Sequence, residues 1–250
     1  MSDPLLQGRA LVRDFAGLRA LNAVSFEVAR GSITGIIGPN GAGKTTLFNA
    51  ITGDYPPTAG RVIFDRRDIT GLAPNRICRL GISRTYQSVR PFLGLSVMNN
   101  VRIGLLYGRR EALTRGEQER EMFAILDFMQ LRAIADKRAE ELIPLERKRL
   151  ELARALATGP RLVLLDEVIA GLTPTEILSM METIRAINAR GITVLLIEHV
   201  MKAVMGLSSE VIVLHHGEKI AQGDPAQVSQ DPAVISAYLG QADLSAGLRR

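Results

Sequence analysis

The most informative segment of this 250-residue sequence is Gly38-Pro39-Asn40-Gly41-Ala42-Gly43-Lys44-Thr45-Thr46. Its order of glycine, four residues, glycine, lysine and threonine is the P-loop pattern. In that pattern the glycines let backbone N–H groups curl around phosphate oxygens, Lys44 brings a positive charge to the β and γ phosphates, and Thr45 offers a hydroxyl to Mg²⁺. We therefore predict that the whole segment binds ATP together with Mg²⁺.

The residues around this loop predict the strand, loop and helix that a P-loop requires. An apolar stretch over Ser32–Ile37 precedes the loop and a helical stretch over Thr45–Ile51 follows it, which disfavours a chance glycine turn. Strands and helices alternate again after Leu150, and this alternation predicts a largely parallel sheet whose carboxyl ends collect ligands. The other patterned segments are strands at Leu21–Val28, Leu162–Leu165 and Ile192–Ile197, and helices at Glu117–Met129, Leu150–Leu156 and Pro174–Ala189.

Two carboxylates, Asp166 and Glu167, follow one of the predicted buried strands. Asp166 suits Mg²⁺, held through its water shell, and Glu167 suits polarising an attacking water. An alternative is that the pair caps the next helix. His199 follows the next strand, where a neutral side chain can hydrogen-bond a γ-phosphate, although a lone histidine is more often structural.

The bulk composition excludes several classes of protein. The net charge is +5 and aromatic residues make up 4%, too few for a surface that stacks nucleic-acid bases. Cys78 is the single cysteine, which fits a reducing compartment. The N-terminus lacks the pattern of a signal peptide, and the apolar runs have only strand length. We expect a cytoplasmic protein that binds no nucleic acid and whose membrane role is peripheral.

These motifs, together with Gln87 in Arg84-Thr-Tyr-Gln, resemble the nucleotide-binding domain of ABC transporters over nearly the whole chain. The resemblance implies that Gln87 contacts Mg²⁺ and the attacking water and senses the membrane partner. It also implies that Phe15 stacks on adenine, that Asp166 and Glu167 are the Walker B pair, and that His199 is the switch histidine.

The same resemblance implies a fold, an α/β P-loop NTPase of the ABC ATPase type. We expect a single domain over residues 1–250, with a mainly parallel sheet core, an antiparallel β part, a helical subdomain at about residues 88–157 and a C-terminal tail at about 222–250. No internal repeat is found, so a second ATPase must come from another polypeptide.

Within that family, four segments resemble the ATPases of branched-chain amino acid importers, to which urea and lipopolysaccharide-export ATPases are related. The segments are Gly38–Thr52, Leu150–Ala157, Ile197–His199 and Gly223–Gly240. This implies an ATP-hydrolysing subunit on the inner face of the membrane, working with transmembrane permeases and indirectly with an external solute-binding protein. The alternatives are a soluble ABC ATPase acting on the ribosome or nucleic acid, and a non-hydrolysing regulatory subunit.

One segment departs from the family pattern. Residues 142–146, Leu-Ile-Pro-Leu-Glu, stand where the family carries the Ser-Gly-Gly-Gln signature that closes over the ATP of a second subunit. Ile143 has no hydroxyl, Pro144 has no N–H, and Leu145 adds bulk where backbone should approach. We therefore expect a dimer with a second ABC ATPase, favouring a heterodimer in which the partner carries the standard signature over pairing with itself.

Overall fold

The computed structural model describes residues 3–86, 91–109 and 112–238. The chain divides into two units, one formed by Met1–Leu72 with Thr193–Arg250 and the other by Ala73–Ile192. The strands are β1 (Pro4–Phe15), β2 (Leu18–Ala29), β3 (Ile33–Ile37), β4 (Ala59–Phe64), β5 (Arg67–Asp68), β6 (Ile82–Arg84), β7 (Leu162–Asp166), β8 (Thr193–Ile197), β9 (Glu210–His215) and β10 (Glu218–Gly223).

The structure also has helices in both units. They are α1 (Lys44–Thr52), α2 (Pro74–Arg79), α3 (Val97–Tyr107), α4 (Arg115–Phe128), α5 (Pro144–Ala157), α6 (Pro174–Ala189), α7 (Met201–Leu207), α8 (Pro225–Val228) and α9 (232–238), with single 3₁₀ turns at Arg132–Ile134 and Ala139–Glu141. Across the described ranges, none of these helices combines the length and apolarity needed to cross a membrane.

An antiparallel sheet in the first unit has the strand order β2-β1-β4-β5. Its two longest strands run for 12 residues each, so β2 extends beyond the predicted Leu21–Val28. Ala10 and Ala23 have φ values of +47° and +52°, and the pairing of β1 with β2 shifts register at several points. These bulges interrupt the alternation of apolar and polar residues, which is why the sequence pattern shows only part of each strand.

A second sheet in the same unit places β3 between two parallel neighbours, β8 and β9, with β10 antiparallel to β9. All five residues of β3 are buried, and so are all five of β8. Strands covered on both faces read as continuous apolar runs, which is the pattern predicted for these segments. The carboxyl end of β3 leads into the P-loop, and the carboxyl end of β8 leads to His199.

The second unit pairs β6 in parallel with β7, and α2 and α5 contact β6. Two of its helices begin with capping boxes, α4 at Thr114 with Glu117 and α6 at Thr173 with Glu176. Such caps satisfy backbone N–H groups that have no partner within the helix. The predicted helix Pro174–Ala189 matches α6 at both ends, and α5 includes the predicted Leu150–Leu156.

Candidate ATP site

The phosphate loop is held between a buried strand and a buried helix face. Ile36 and Ile37, at the end of β3, are 0% and 2% exposed. On the other side, α1 begins at Lys44 and buries Leu47 and Phe48 completely. The backbone of residues 38–43 is therefore anchored in the core at both of its ends.

Two glycines of the loop have conformations and surroundings that exclude a side chain. Gly38 has φ +151° and Gly43, the residue before α1, has φ +102°. A Cβ atom on Gly38 would overlap the carbonyl oxygen of Leu214, and one on Gly43 would lie 2.6 Å from the carbonyl oxygen of Ala20. These glycines are therefore required by the fold of the loop as well as by its chemistry.

Lys44 is folded back onto the loop that it follows. Its ammonium donates hydrogen bonds to the carbonyl oxygens of Gly38, at 2.7 Å, and Pro39, at 2.9 Å. Thr45 is exposed on the first turn of α1. The loop thus combines a fixed ammonium with the positive end of a helix, an arrangement suited to phosphate.

A hairpin turn in the same unit braces the loop. His216 and Gly217 join β9 to β10, both with positive φ, as a two-residue hairpin of the I′ type requires. The N–H of Gly217 donates to the carbonyl of Ala42 at 3.1 Å, and its carbonyl accepts from the N–H of Asn22 at 2.8 Å. Gly217 thus connects the loop to β2, and the sequence did not predict these two hydrogen bonds.

Phe15, the predicted adenine contact, ends β1 and is half-buried. The guanidinium of Arg13 lies 4.5 Å from its ring centroid, and the ring of Tyr55 meets it edge-on at 5.8 Å. Arg13 is tied down in turn, because it donates to the carbonyl of Pro56 at 2.7 Å. The ring of Phe15 is therefore supported by a cation and by a second aromatic group.

The first unit contributes two further polar side chains, His199 and Tyr238. His199 is exposed just beyond β8, next to Glu198, which is 2% exposed. Tyr238 lies on α9, the last described helix. Burial raises the pKa of its phenol, while a hydrogen bond from the backbone of Gly38 opposes that rise. The sequence prediction did not include Tyr238.

The acidic pair lies in the second unit and is held by neighbouring strands. Asp166 is the last residue of β7, and its carboxylate pairs with the guanidinium of Arg84 at 2.7 Å. The backbone N–H of Asp166 donates to the hydroxyl of Thr85 at 3.1 Å. Glu167 follows with φ +52°, and its carbonyl accepts a hydrogen bond from the ammonium of Lys148 at 3.2 Å.

The alternative that the acidic pair caps the next helix is wrong. The N-cap of α6 is Thr173, whose hydroxyl accepts from the N–H of Glu176 at 3.4 Å. Asp166 lies within the strand and Glu167 directly after it, before α6 begins. The carboxylates therefore have a reason other than capping to be at this strand end.

Gln87 and the tail beyond residue 238 lie outside the described residues. Tyr86, the residue before Gln87, donates its backbone N–H to the carboxylate of Glu151 at 2.7 Å. Burial raises the pKa of Glu151, while this hydrogen bond and the charges of Arg154 and Lys148 oppose the rise. The sequence prediction missed Glu151, because the residues one helical turn away include Lys148 and Arg154 and so do not indicate a buried face.

The degenerate signature forms the start of α5. Ile143 is its N-cap and Pro144 its first residue. The N–H of Ile143 donates to the carboxylate of Glu146 at 3.1 Å. Because Pro144 has no N–H and Glu146 places a negative charge there, this helix start is poorly suited to an anion.

The P-loop lies between a buried parallel strand and a helix, and an acidic pair follows another parallel strand. These two features define a P-loop ATPase. The family model of the ABC transporter matches residues 21–170, and that of the branched-chain amino acid ATP-binding cassette transporter matches residues 218–243. The chain belongs to the ABC transporter family, as one of its ATP-binding, ATP-hydrolysing subunits. The predicted α/β fold of the ABC ATPase type is confirmed.

Curated relatives resemble the chain over nearly its whole length. The high-affinity branched-chain amino acid transport ATP-binding protein LivG of Salmonella typhimurium and BraF of Pseudomonas aeruginosa are each 39% identical, over 97% of this chain and 100% of the relative. The lipopolysaccharide export system ATP-binding protein LptB of Acidithiobacillus ferridurans is 35% identical, over 94% of this chain and 97% of the relative.

Solved structures of ATP-binding cassettes have the same fold. The ADP conformation of one cassette has a TM-score of 0.87 at 34% identity, covering 96% of this chain and 100% of that one. A nucleotide-free cassette has a TM-score of 0.85 at 33% identity, covering 94% of this chain and 99% of that one.

Proposed function

We propose that this chain powers a membrane transporter that imports branched-chain or related amino acids. The observation that carries the proposal is the likeness of both parts of the chain, the ATPase core and the segment at 218–243, to branched-chain amino acid transport ATPases. The 39% identity to such proteins exceeds the 35% identity to a lipopolysaccharide-export ATPase, which favours amino acid import over export.

In this proposal the loop at residues 38–46 binds the phosphates of ATP and Phe15 stacks on its adenine. Lys44 exchanges its hydrogen bonds to loop carbonyls for bonds to β- and γ-phosphate oxygens, so the ammonium moves little on binding. The supported ring of Phe15 presents a fixed aromatic surface, and a fixed surface costs less entropy when the base binds.

Mg²⁺ fits the oxygen ligands available here. It prefers one or two protein oxygens together with phosphates and waters to a complete protein cage. Thr45 and Asp166 supply such oxygens, and Gln87 is the third proposed ligand. When bound, Mg²⁺ neutralises charge on the β- and γ-phosphates.

Hydrolysis is assigned to Glu167, His199 and Gln87. Glu167 accepts a hydrogen bond from the attacking water and orients it toward the γ-phosphorus. His199 donates a hydrogen bond to the γ-phosphate from its exposed position after β8, and Gln87 orients the same water while sensing the membrane partner. The left-handed backbone of Glu167 belongs to the kind of strain that structures keep at functional sites.

The partners in this proposal are transmembrane permeases, a second ABC ATPase and, indirectly, an external solute-binding protein. ABC ATP-binding subunits of importers work with permeases and dimerise. A partner ATPase with an intact signature would complete the site built on this chain's P-loop, and the protein would lie on the inner face of the membrane. Closing of the dimer on ATP and reopening after hydrolysis shift the permease between its two faces. Gln87 and the helical insertion near residues 88–141 are the proposed transmission surface.

Affinity purification of the tagged chain from gently solubilised native membranes tests this proposal. We expect two hydrophobic permeases and a second ATPase with an intact signature to co-purify. The solute-binding protein associated with these permeases should bind branched-chain amino acids in calorimetry. Recovery of ribosomes or nucleic acid instead would favour the soluble ABC ATPase. A binding protein specific for another solute would contradict the amino acid assignment alone.

A further inference from the structure

We propose that Lys148 is a positioning residue for Glu167, acting within its own subunit. The inference rests on the proposed role of Glu167 in hydrolysis. Its basis is the hydrogen bond of 3.2 Å that the Lys148 ammonium donates to the Glu167 carbonyl oxygen. Helix α5, whose start has lost the signature residues, thereby supports the water-orienting glutamate of the same chain.

Glu167 needs such support because its backbone is in an unfavourable conformation. Its φ is +52°, in the left-handed region where a Cβ atom crowds the carbonyl oxygen that follows it. A non-glycine residue stays there only when its surroundings hold it. A hydrogen bond to its carbonyl fixes the peptide plane after Glu167, and that plane helps to set the direction of the side chain.

The residues on both sides of Glu167 are anchored independently. Asp166 is held by the Arg84 guanidinium at 2.7 Å and by the Thr85 hydroxyl at 3.1 Å. Val168 and Ile169 are 3% and 0% exposed. Glu167 lies between these anchored residues, directly after the end of β7. Lys148, on α5, contacts its carbonyl oxygen.

Helix α5 is a firm base for Lys148. It buries Leu150 and Leu152 completely, and Glu151 bonds the backbone N–H of Tyr86 at 2.7 Å. Lys148 itself is only half-buried, so its side chain can be replaced without opening the core. An ammonium to a carbonyl is a charge-assisted hydrogen bond, stronger than one between neutral groups.

Steady-state ATP hydrolysis by the purified transporter complex tests the proposal with three variants. Lys148→Met keeps the length and removes the charge, Lys148→Arg keeps the donor, and Lys219→Met is the control, a lysine exposed on β10. We expect Lys148→Met to lower kcat about ten- to hundredfold, since misplacing a reacting group by about 1 Å costs that much. KM for ATP should stay within about twofold, because the phosphate loop is unchanged.

Rescue and coupling separate positioning from a general structural role. Lys148→Arg should recover most of kcat, and all variants should melt at the temperature of the wild-type complex. Glu167→Gln should abolish steady-state turnover and leave only a residual rate that single-turnover phosphate release measures. In that background Lys148→Met should not lower the residual rate further, because its effect passes through Glu167. Equal fractional losses in both backgrounds, or an unchanged kcat, would overturn the inference.

The same series keeps the two proposals distinguishable. If Glu167→Gln leaves turnover at the wild-type rate, the proposed role of Glu167 fails, and the inference about Lys148 fails with it. If Glu167→Gln abolishes turnover while Lys148→Met leaves it unchanged, only the role of Lys148 is wrong.

Discussion

The guanidinium of Arg84 and the carboxylate of Asp166 form an ion pair of 2.7 Å in which each side chain is only 4% exposed. The two residues end neighbouring parallel strands, β6 and β7. Taking two charges out of water is costly, and their attraction offsets the cost only while both are present. The pair therefore fixes the orientation of Asp166, the proposed Mg²⁺ ligand. It also makes the stability of the fold depend strongly on Arg84, because without it the Asp166 charge would be buried alone.

Replacing Arg84 with methionine should destabilise the protein substantially. The change leaves the carboxylate of Asp166 buried beside an apolar side chain, and breaking a buried pair in this way costs about 3–5 kcal/mol. Urea unfolding followed by circular dichroism measures the change. Arg19→Met is the matched control, because its 2.9 Å pair with Asp14 is exposed and should contribute little to stability. Similar losses for the two variants would contradict the burial argument.

Glu151 should make the stability of the protein depend on pH. Burial raises the pKa of its carboxyl above the ordinary 4.5, so the folded state holds this proton at pH values where the unfolded state has lost it. Stability from this group is complete below the unfolded pKa and is lost as pH rises through the folded pKa. Glu151→Gln carries no charge and keeps an acceptor for the Tyr86 N–H.

Urea titrations of wild type and Glu151→Gln at several pH values above 4.5 measure this effect. We expect the stability of the variant, relative to wild type, to increase as pH rises through the folded pKa of Glu151 and then to level off. Glu140→Gln, at an exposed glutamate, should follow the wild-type curve. A constant difference between Glu151→Gln and wild type would mean that the carboxyl is not protonated more readily in the folded state.

The elements that the sequence predicts well are those whose signals are local. The P-loop, the buried strands β3, β7 and β8, and α6 with Pro174 after Thr173 each carry their pattern within a few residues. The antiparallel strands β1 and β2 are less visible, because the bulges at Ala10 and Ala23 shift which residues face inward.

Contacts between distant residues could not be predicted from such patterns. Arg84 meets Asp166 across 82 positions of sequence, and Lys148 on α5 meets the Glu167 carbonyl across 19 positions. Periodicity assigns a residue to an element and a face but does not identify its partner on another element. The site was therefore predicted as motifs, while the residues that hold the motifs in place emerge only from the structure.

Gly38→Ala should damage both the fold and nucleotide binding. The added Cβ would overlap the Leu214 carbonyl oxygen at a φ of +151°, so the loop or β9 must shift, at a cost of about 2–4 kcal/mol. Thermal unfolding and the binding of a fluorescent ATP analogue measure the two effects. Gly41→Ala is the control, since its φ is also positive but the space around it is open, and it should cost about 1 kcal/mol. Equal effects would contradict the steric argument.

Phe15→Ala should weaken ATP binding through the base alone. Losing an aromatic stacking surface costs about 1–3 kcal/mol per base, whereas the phosphate loop stays intact. Calorimetry with ATP and with inorganic triphosphate separates the two contributions: the variant should lose affinity for ATP but not for triphosphate. Phe15→Tyr should bind ATP like wild type, and Lys44→Ala should lose affinity for both ligands. A loss of triphosphate affinity in Phe15→Ala would show that the ring supports the loop instead.

The degenerate signature gives the sharpest test of asymmetry between the two ATP sites. Its helix start has Pro144 without an N–H and an Ile143 N–H that is already bonded to Glu146. The changes Ile143→Ser, Pro144→Gly, Leu145→Gly and Glu146→Gln would restore a hydroxyl and backbone donors for the nucleotide held by the partner ATPase.

In a Glu167→Gln complex, which we expect to be inactive, the fourfold variant should regain ATP hydrolysis, because the restored site uses the partner's own carboxylate. Phosphate release by the purified complex measures this, with Ile143→Ala as a control that restores no donor. Continued inactivity of the fourfold variant would mean that the signature is not what limits the partner's site.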